Sequence, residues 1–382
     1  MHNSEKSVHI VTLNIPDPPD YGGMIDSFYR IKELYSLGIK IHLHCFEYDR
    51  KPSKILATMC ESVKYYKRHN GWLANLSLKP FIVKSRNSDI LLKHLMRDNY
   101  PVLFDGIHTT YHIKNKGLIN RFKAVRVHNI EHLYYQTLFK YEHNIVKKIF
   151  FICEALKLKY YEKILLTADN CFTVSPSEQN YFRSKYKNAV YVPSFHPFNK
   201  IVTAPGKGTF VLFHADLSVT ENVKSCIWLI NNVFLKTPYP CIIAGKNPPE
   251  LLKKVVSGYS NIKVVPNPSN EQMNGYIHDA HVHVLIALKN NGLKLKLLLS
   301  LFSGRFCLVN PTIIEDTILD KVCYVAKTPD DFLKNINHLM NIEFTQEMIN
   351  ERELLLNQQY NNRTNAIKLI NTMNLRVPAF DI

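Results

Sequence analysis

Short apolar runs alternate with amphipathic stretches along the whole chain, which is the pattern of an α/β protein built on parallel sheets. In the first half, strands are expected over residues 8–13, 39–46, 63–66, 102–104, 124–127, 171–174 and 190–192. Met24, Phe28, Ile31, Leu34 and Tyr35 recur every three or four residues and form one helical stripe over 24–37. Further helical patterns cover 90–97 and 134–166. Pro193, Pro197 and Pro205, with Gly206 and Gly208, then interrupt the pattern as a linker would. Beyond it, strands are expected over 210–214, 241–244, 262–265, 282–287, 306–309 and 322–325, with helices over 221–234, 271–279, 293–302 and 330–340. The last forty or so residues read as polar and helical, with an apolar stripe at Ala366, Leu369 and Ile370. The expected organisation is therefore two doubly wound, Rossmann-like domains facing a cleft. Residues 1–195 form the first domain, 196–208 the linker, 209–350 the second domain and 351–382 a C-terminal helix. In such sheets ligands bind beyond the carboxyl ends of the strands.

Two positions stand out against this pattern. Asp20-Tyr21-Gly22-Gly23 falls between the first strand and the first helix. Glycines there let backbone N–H groups approach an anion at a helix N-terminus. The spacing lacks both the dinucleotide fingerprint and the P-loop lysine, so an anion-binding loop and a plain tight turn are equally good readings. In the second half, Asn291-Gly292-Leu293-Lys294-Leu295-Lys296 opens a helix that is apolar on nearly every side. Lysines in such a helix either meet an anion or snorkel to solvent. Lys294 and Lys296 are two positions apart and face different ways. Lys296 is the preferred ligand for a diphosphate.

Asp105 and His108 follow one strand, and His128, Glu131 and His132 follow the next. Histidine and carboxylate at strand ends suit proton transfer or sugar-hydroxyl binding, although a structural histidine is the common alternative. The rival zinc reading of His128 and His132 has the wrong residue order and lies in an expected loop. No metal site is expected.

Composition narrows the class. The 382 residues carry 48 Lys and Arg against 32 Asp and Glu, a formal charge of +16, which favours phosphorylated ligands, nucleic acid or an anionic membrane surface. A Lys-rich solvated surface explains the same number. No DNA-reading motif is visible, and no nucleic-acid partner is expected. The stretch 140–166 mixes Lys140, Lys147, Lys148, Lys157, Lys159 and Lys163 with Ile149, Phe150, Phe151 and Tyr160, as a bilayer-surface helix or a long packed helix would. No apolar run reaches the ~20 residues of a membrane span. With the first strand expected from residue 8, no signal peptide is expected. The eight cysteines are scattered without paired motifs, and a cytoplasmic protein is expected.

Taken in order, Asp20–Gly23, Arg126–His132, Phe172-Thr173-Val174-Ser175, His214–Val219 with Glu221-Asn222, Ile243–Pro248 and Gly292–Leu298 resemble a GT-B glycosyltransferase of the family-four type, in a variant common in Bacteroidetes polysaccharide clusters. The resemblance covers nearly the whole chain. It implies a metal-independent, retaining hexosyltransferase that moves sugar from a nucleotide-sugar co-substrate, without another cofactor, onto a glycan or lipid-linked glycan. It implies an acceptor site in the first domain, a nucleotide site in the second, and a last helix crossing back to the first. Gly22, Gly23, Gly292, Lys294 and Lys296 would hold the diphosphate. His108 and Glu131 would serve the reacting sugars, with Asp105, His128 and His132 on the acceptor side. Asp216, Asn222, Lys224, Gly245 and Lys246 would lie near the nucleotide. The protein would work in surface-polysaccharide synthesis, peripherally at the inner membrane face. Two glutamates usual in such proteins correspond to Asn291 and Leu299 here, so donor-ribose binding by that route lacks its residue. That departure motivates an alternative, a non-catalytic GT-B-like protein that binds a glycan or a partner.

Overall fold

The computed structural model describes residues 6–69, 71, 77–288, 295–314 and 318–375. The chain forms two compact units. One runs through Pro197 and regains the chain from Tyr360; the other runs from Phe198 to Gln359 over its described residues.

The first unit is a seven-stranded parallel sheet of β1 (Ser7–Thr12), β2 (Lys40–Glu47), β3 (Ser62–Lys67), β4 (Val102–Asp105), β5 (Lys123–Val127), β6 (Asn170–Thr173) and β7 (Ala189–Tyr191). The strand order is β3-β2-β1-β4-β5-β6-β7. Every residue of β1, β4 and β5 is buried because helices cover both faces, and this is why these strands read as continuous apolar runs. On one face Ile31 and Leu34 of helix Gly22–Ser36 pack with Ala366, Leu369 and Ile370 of helix Asn362–Thr372 over Ile10, Leu43 and Leu103. On the other, Leu91, Leu95 and Phe182 pack over Val11, Phe104 and Val125.

The second unit repeats the plan with β8 (Val211–Asp216), β9 (Cys241–Lys246), β10 (Ile262–Pro266), β11 (Val282–Leu285), β12 (Phe306–Val309) and β13 (Tyr324–Val325), in the order β10-β9-β8-β11-β12-β13. Leu229, Ile230, Phe332, Ile336 and Leu339 form the core of one face. Leu212, Ala244 and Ile277 form the core of the other, where Leu299 also packs. In both sheets the order reverses next to the first strand of the unit, at β1/β4 and at β8/β11. That reversal opens a crevice at the carboxyl ends of those strands.

All thirteen expected strands are present within one or two residues. The helices differ more. The pattern over 134–166 is two helices, Glu131–Tyr141 and Ile145–Tyr161, because the Asn144 side chain caps the second by accepting from Lys147 N at 3.1 Å. The first of these starts at Glu131, where a loop was expected. Helix Pro176–Tyr186 carries little apolar periodicity, yet Ser175 caps it, Pro176 occupies its first turn and Glu178 follows three residues after the cap. That signature was readable in the sequence. Cys153 is exposed; Cys45, Cys241 and Cys307 are buried, and all eight cysteines are free thiols.

Candidate functional site

Each unit carries polar groups at its own reversal point. In the first, helix Gly22–Ser36 is the next element after β1, beyond the loop of residues 13–21, and its N-cap, Tyr21, makes no side-chain cap bond. A Cβ on Gly23 would meet nothing closer than Tyr21 Cε2 at 3.9 Å, so packing does not demand glycine there. Close approach of a ligand remains a reason for it.

One turn further along the same helix, Asp26 is fully buried and accepts hydrogen bonds from Arg30 Nη1 (2.7 Å), Arg126 Nε (3.0 Å), Arg126 Nη2 (2.7 Å) and Phe195 N (2.9 Å). His128 Nε2 lies 3.0 Å from the same carboxylate. Burial alone would raise the Asp26 pKa, but Arg126, Arg30 and His128 overcome it and hold the carboxyl well below the usual range. Asp105 closes the network: Ser27 Oγ donates to it at 2.5 Å and Arg30 Nη2 pairs with it. Arg126 also donates to Val192 O at 2.6 Å and Pro193 O at 3.1 Å. Asp105 and His128 are thus both engaged in a buried scaffold that ties β4, β5 and the first helix together.

His132 does not join His128. Its Nδ1 lies 3.0 Å from Glu162 Oε2, and Glu162 also accepts from Tyr181 Oη and Tyr186 Oη, each at 2.8 Å. The two histidines therefore serve different carboxylates. Among the described residues no group of three or more His, Cys, Asp or Glu side chains could hold a metal ion.

His108 and Glu131 are the groups the scaffold leaves over. The His108 ring packs over Gly106, whose φ of +71° favours glycine and where a Cβ would sit 2.7 Å from His108 Nδ1. That nitrogen is buried and without a hydrogen-bond partner among the described residues. Burial first, then the charges of Arg86, His128 and Arg68, hold the imidazole well below its ordinary pKa, so it is neutral at physiological pH. Glu131 is buried at the start of helix Glu131–Tyr141. Burial, reinforced by Glu178 and opposed by Asn129 and Arg86, raises its pKa to about 8, leaving a protonated carboxyl at neutral pH. Arg86 and Gly106, which help to define this corner, were not singled out from the sequence. The Asp-Gly pair at the end of an apolar strand was the available signal for Gly106.

In the second unit, Lys296 lies in the first turn of helix Leu295–Ser303, and its Nζ reaches Ile286 O, just beyond β11, at 3.2 Å. Burial lowers its pKa to about 8, and Glu221 opposes the shift. Ser300, one turn on, links Lys296 O (3.1 Å) to His214 Nε2 on β8 (2.9 Å). Burial and then the Lys296 charge push His214 down to about 4. Asp216 ends β8 in register with Lys246 on β9. It accepts from Ser218 N and Oγ, and Asn222 Nδ2 donates to its backbone carbonyl at 2.8 Å. Lys224 and Lys246 are exposed. Gly245 has a packing reason, since a Cβ there would sit 2.0 Å from Ala215 O. Asn291, Gly292 and Lys294 lie outside the described residues. Leu299 is half-buried against the core.

Comparison with known proteins adds the architecture. No family model matches the chain. A Klebsiella pneumoniae protein, described as an uncharacterized 44.6 kDa protein in the cps region, is 27% identical over 88% of this chain and 93% of its own length. Among solved structures, a variant of S. aureus TarM in complex with fondaparinux, alpha-GlcNAc-glycerol and UDP superposes with a TM-score of 0.68 at 12% identity, over 97% of this chain and 100% of that one. Anabaena HepE in complex with UDP and glucose gives 0.65 at 11% identity, over 96% and 99%. The lipopolysaccharide outer core galactosyltransferase WaaB gives 0.64 at 13% identity, over 95% and 99%. The fold is GT-B. At these identities the likeness is one of architecture, and the chemistry has to be argued from this chain's own side chains. Among the described residues no helix is long and apolar enough to cross a membrane.

Proposed function

We propose that this protein is a glycosyltransferase that moves a hexosyl group from a nucleotide-sugar to a glycan or lipid-linked glycan during surface-polysaccharide synthesis. Lys296 carries the reading. It is a half-buried cation at the reversal point of the second sheet, next to a helix start, where a departing diphosphate needs its charge neutralised. The GT-B fold, neighbours solved with UDP, and a relative in a cps region support the same direction. On this reading Gly22, Gly23, Gly292 and Lys294 add N–H groups or charge to the diphosphate, and Asp216, Asn222, Lys224, Gly245 and Lys246 surround the nucleotide. Neutral His108 and protonated Glu131 contact the reacting sugars, with Asp105, His128 and His132 behind them as positioning residues. The transfer is metal-independent, with retained anomeric configuration, and needs no cofactor beyond the nucleotide-sugar.

The protein acts peripherally at the cytoplasmic membrane face. Support comes from helix Ile145–Tyr161, which exposes Ile145, Ile149, Cys153, Leu156 and Tyr160 along one stripe, with Lys147, Lys159 and Lys163 also exposed. A stripe of that composition fits an anionic bilayer surface.

The test is calorimetric titration of the full chain with nucleoside diphosphates and their sugars, combined with a hydrolysis assay. Selective binding of one nucleotide with turnover of its sugar supports the reading. Absence of both turns attention to the second reading, a non-catalytic glycan- or partner-binding protein, which apolar Leu299 favours.

A further inference from the structure

Four guanidinium groups of the first unit form ion pairs with carboxylates. Arg30 and Arg126 meet Asp26 and Asp105, Arg121 meets Asp98, and Arg50 meets Asp20. Arg68 and Arg86 are different. Arg86 is 3% exposed and is held by backbone carbonyls alone, Nε to Leu13 O at 2.9 Å and Nη1 to Ile82 O at 2.6 Å. Arg68 donates from Nε to Ser85 Oγ at 3.1 Å and lies over the rings of Tyr48 (4.5 Å) and Phe81 (5.4 Å). Among the described residues, neither forms an ion pair with a carboxylate. Nη2 of Arg86 and both terminal nitrogens of Arg68 have no hydrogen-bond acceptor there. Ser85 joins the two: it precedes Arg86 in the chain and accepts from Arg68.

Their position matters as much as their charge. Leu13 immediately follows β1 and Arg68 immediately follows β3, so both arginines sit at the carboxyl edge of the sheet, where α/β units bind ligands. His108, with its unpartnered buried Nδ1, follows β4 at the same edge. The carboxyl that interacts with Arg86, Glu131, is protonated at neutral pH and supplies no counter-charge. Burying a guanidinium without a carboxylate is costly, and fixed, forked donors are suited to an oxyanion arriving from outside.

We propose that Arg68 and Arg86, beside His108, bind an oxyanion of the acceptor, a phosphate or a sugar carboxylate. The word acceptor rests on the glycosyltransferase reading; the binding of an oxyanion does not. The acceptor is then itself anionic, a phosphorylated or uronic-acid-bearing glycan.

The full chain is titrated calorimetrically with inorganic phosphate and, separately, with glucuronate, in a buffer without either. Binding of phosphate alone identifies a phosphorylated acceptor, and binding of glucuronate alone an acidic sugar. In either case Arg68→Gln weakens the binding about tenfold or more, and Arg86→Lys, which loses the fork, weakens it as well. Arg68 is half-buried and makes few contacts, so its variant stays folded even if the Arg86 variant does not. The proposal is overturned if neither anion binds, or if binding survives Arg68→Gln. UDP binding in the same samples separates the two readings: UDP binding without anion binding removes this site alone, and the converse removes the donor site alone.

Discussion

The two reversal points share one topology and handle charge in opposite ways. At β1/β4 the chain buries Asp26, Arg30, Asp105 and Arg126 together, and every charge in that scaffold finds an internal partner. At β8/β11 it leaves one lysine, Lys296, whose Nζ has a backbone carbonyl as its only hydrogen-bond acceptor among the described residues. The first arrangement fixes a loop and two strand ends in place. The second leaves a half-buried cation with no carboxylate ion pair among the described residues. Burial of charge is therefore no guide to function by itself; what separates scaffold from site is whether the partner lies within the chain.

The strongest way to break the contrast is to open the scaffold. Asp26→Ala leaves Arg30 and Arg126 buried without their carboxylate and should cost about 3–5 kcal/mol in urea unfolding. A loss below about 1 kcal/mol would show that the network is not what holds this corner. At the other reversal point, Lys296→Met should leave stability unchanged or slightly higher. It should also weaken nucleoside diphosphate binding by about a hundredfold, read by calorimetry. The wild-type pH profile sharpens this. With its pKa lowered to about 8, Lys296 keeps its charge below that value, so diphosphate affinity should be level to about pH 8 and fall above it. The stability contribution runs the other way, because the burial cost of the charged form is relieved as pH rises from about 8 towards the unfolded-state value.

Glu131 tests the middle ground, a group in the first unit left outside the scaffold. Its folded pKa is raised to about 8, so the native state holds a proton that the unfolded chain has released. Wild-type stability should therefore decline as pH rises from the ordinary glutamate range to about 8. Glu131→Gln should flatten that slope and gain about 1–2 kcal/mol at pH 8. The smallest effect on stability is expected outside both regions. Ile149→Glu with Leu156→Glu, on the exposed stripe, should shift unfolding by no more than about 0.5 kcal/mol. The same pair should abolish co-sedimentation with phosphatidylglycerol vesicles; retained binding would place membrane contact elsewhere.

The sequence by itself determined the two sheets. The strands buried throughout, such as β1, β4 and β5, are written as near-continuous apolar runs, and thirteen expected strands, with a proline- and glycine-rich break between the seventh and eighth, specify two parallel α/β units. It also marked Lys296, because a lysine inside an apolar helix is conspicuous without any coordinates. What it did not carry is pairing. Asp26 looks like a polar position on the outside of an amphipathic helix, yet it anchors Arg126 a hundred residues away. Arg86 looks like a surface arginine beside a loop and is buried. Asp105 and His128 read as site candidates and are engaged by that anchor, while His108 and Glu131 are left out of it. Hydrophobic periodicity is local and repeats every two or 3.6 residues, so one sequence reveals it. The partner of a buried charge lies wherever the strand order brings it, and only the tertiary structure decides that.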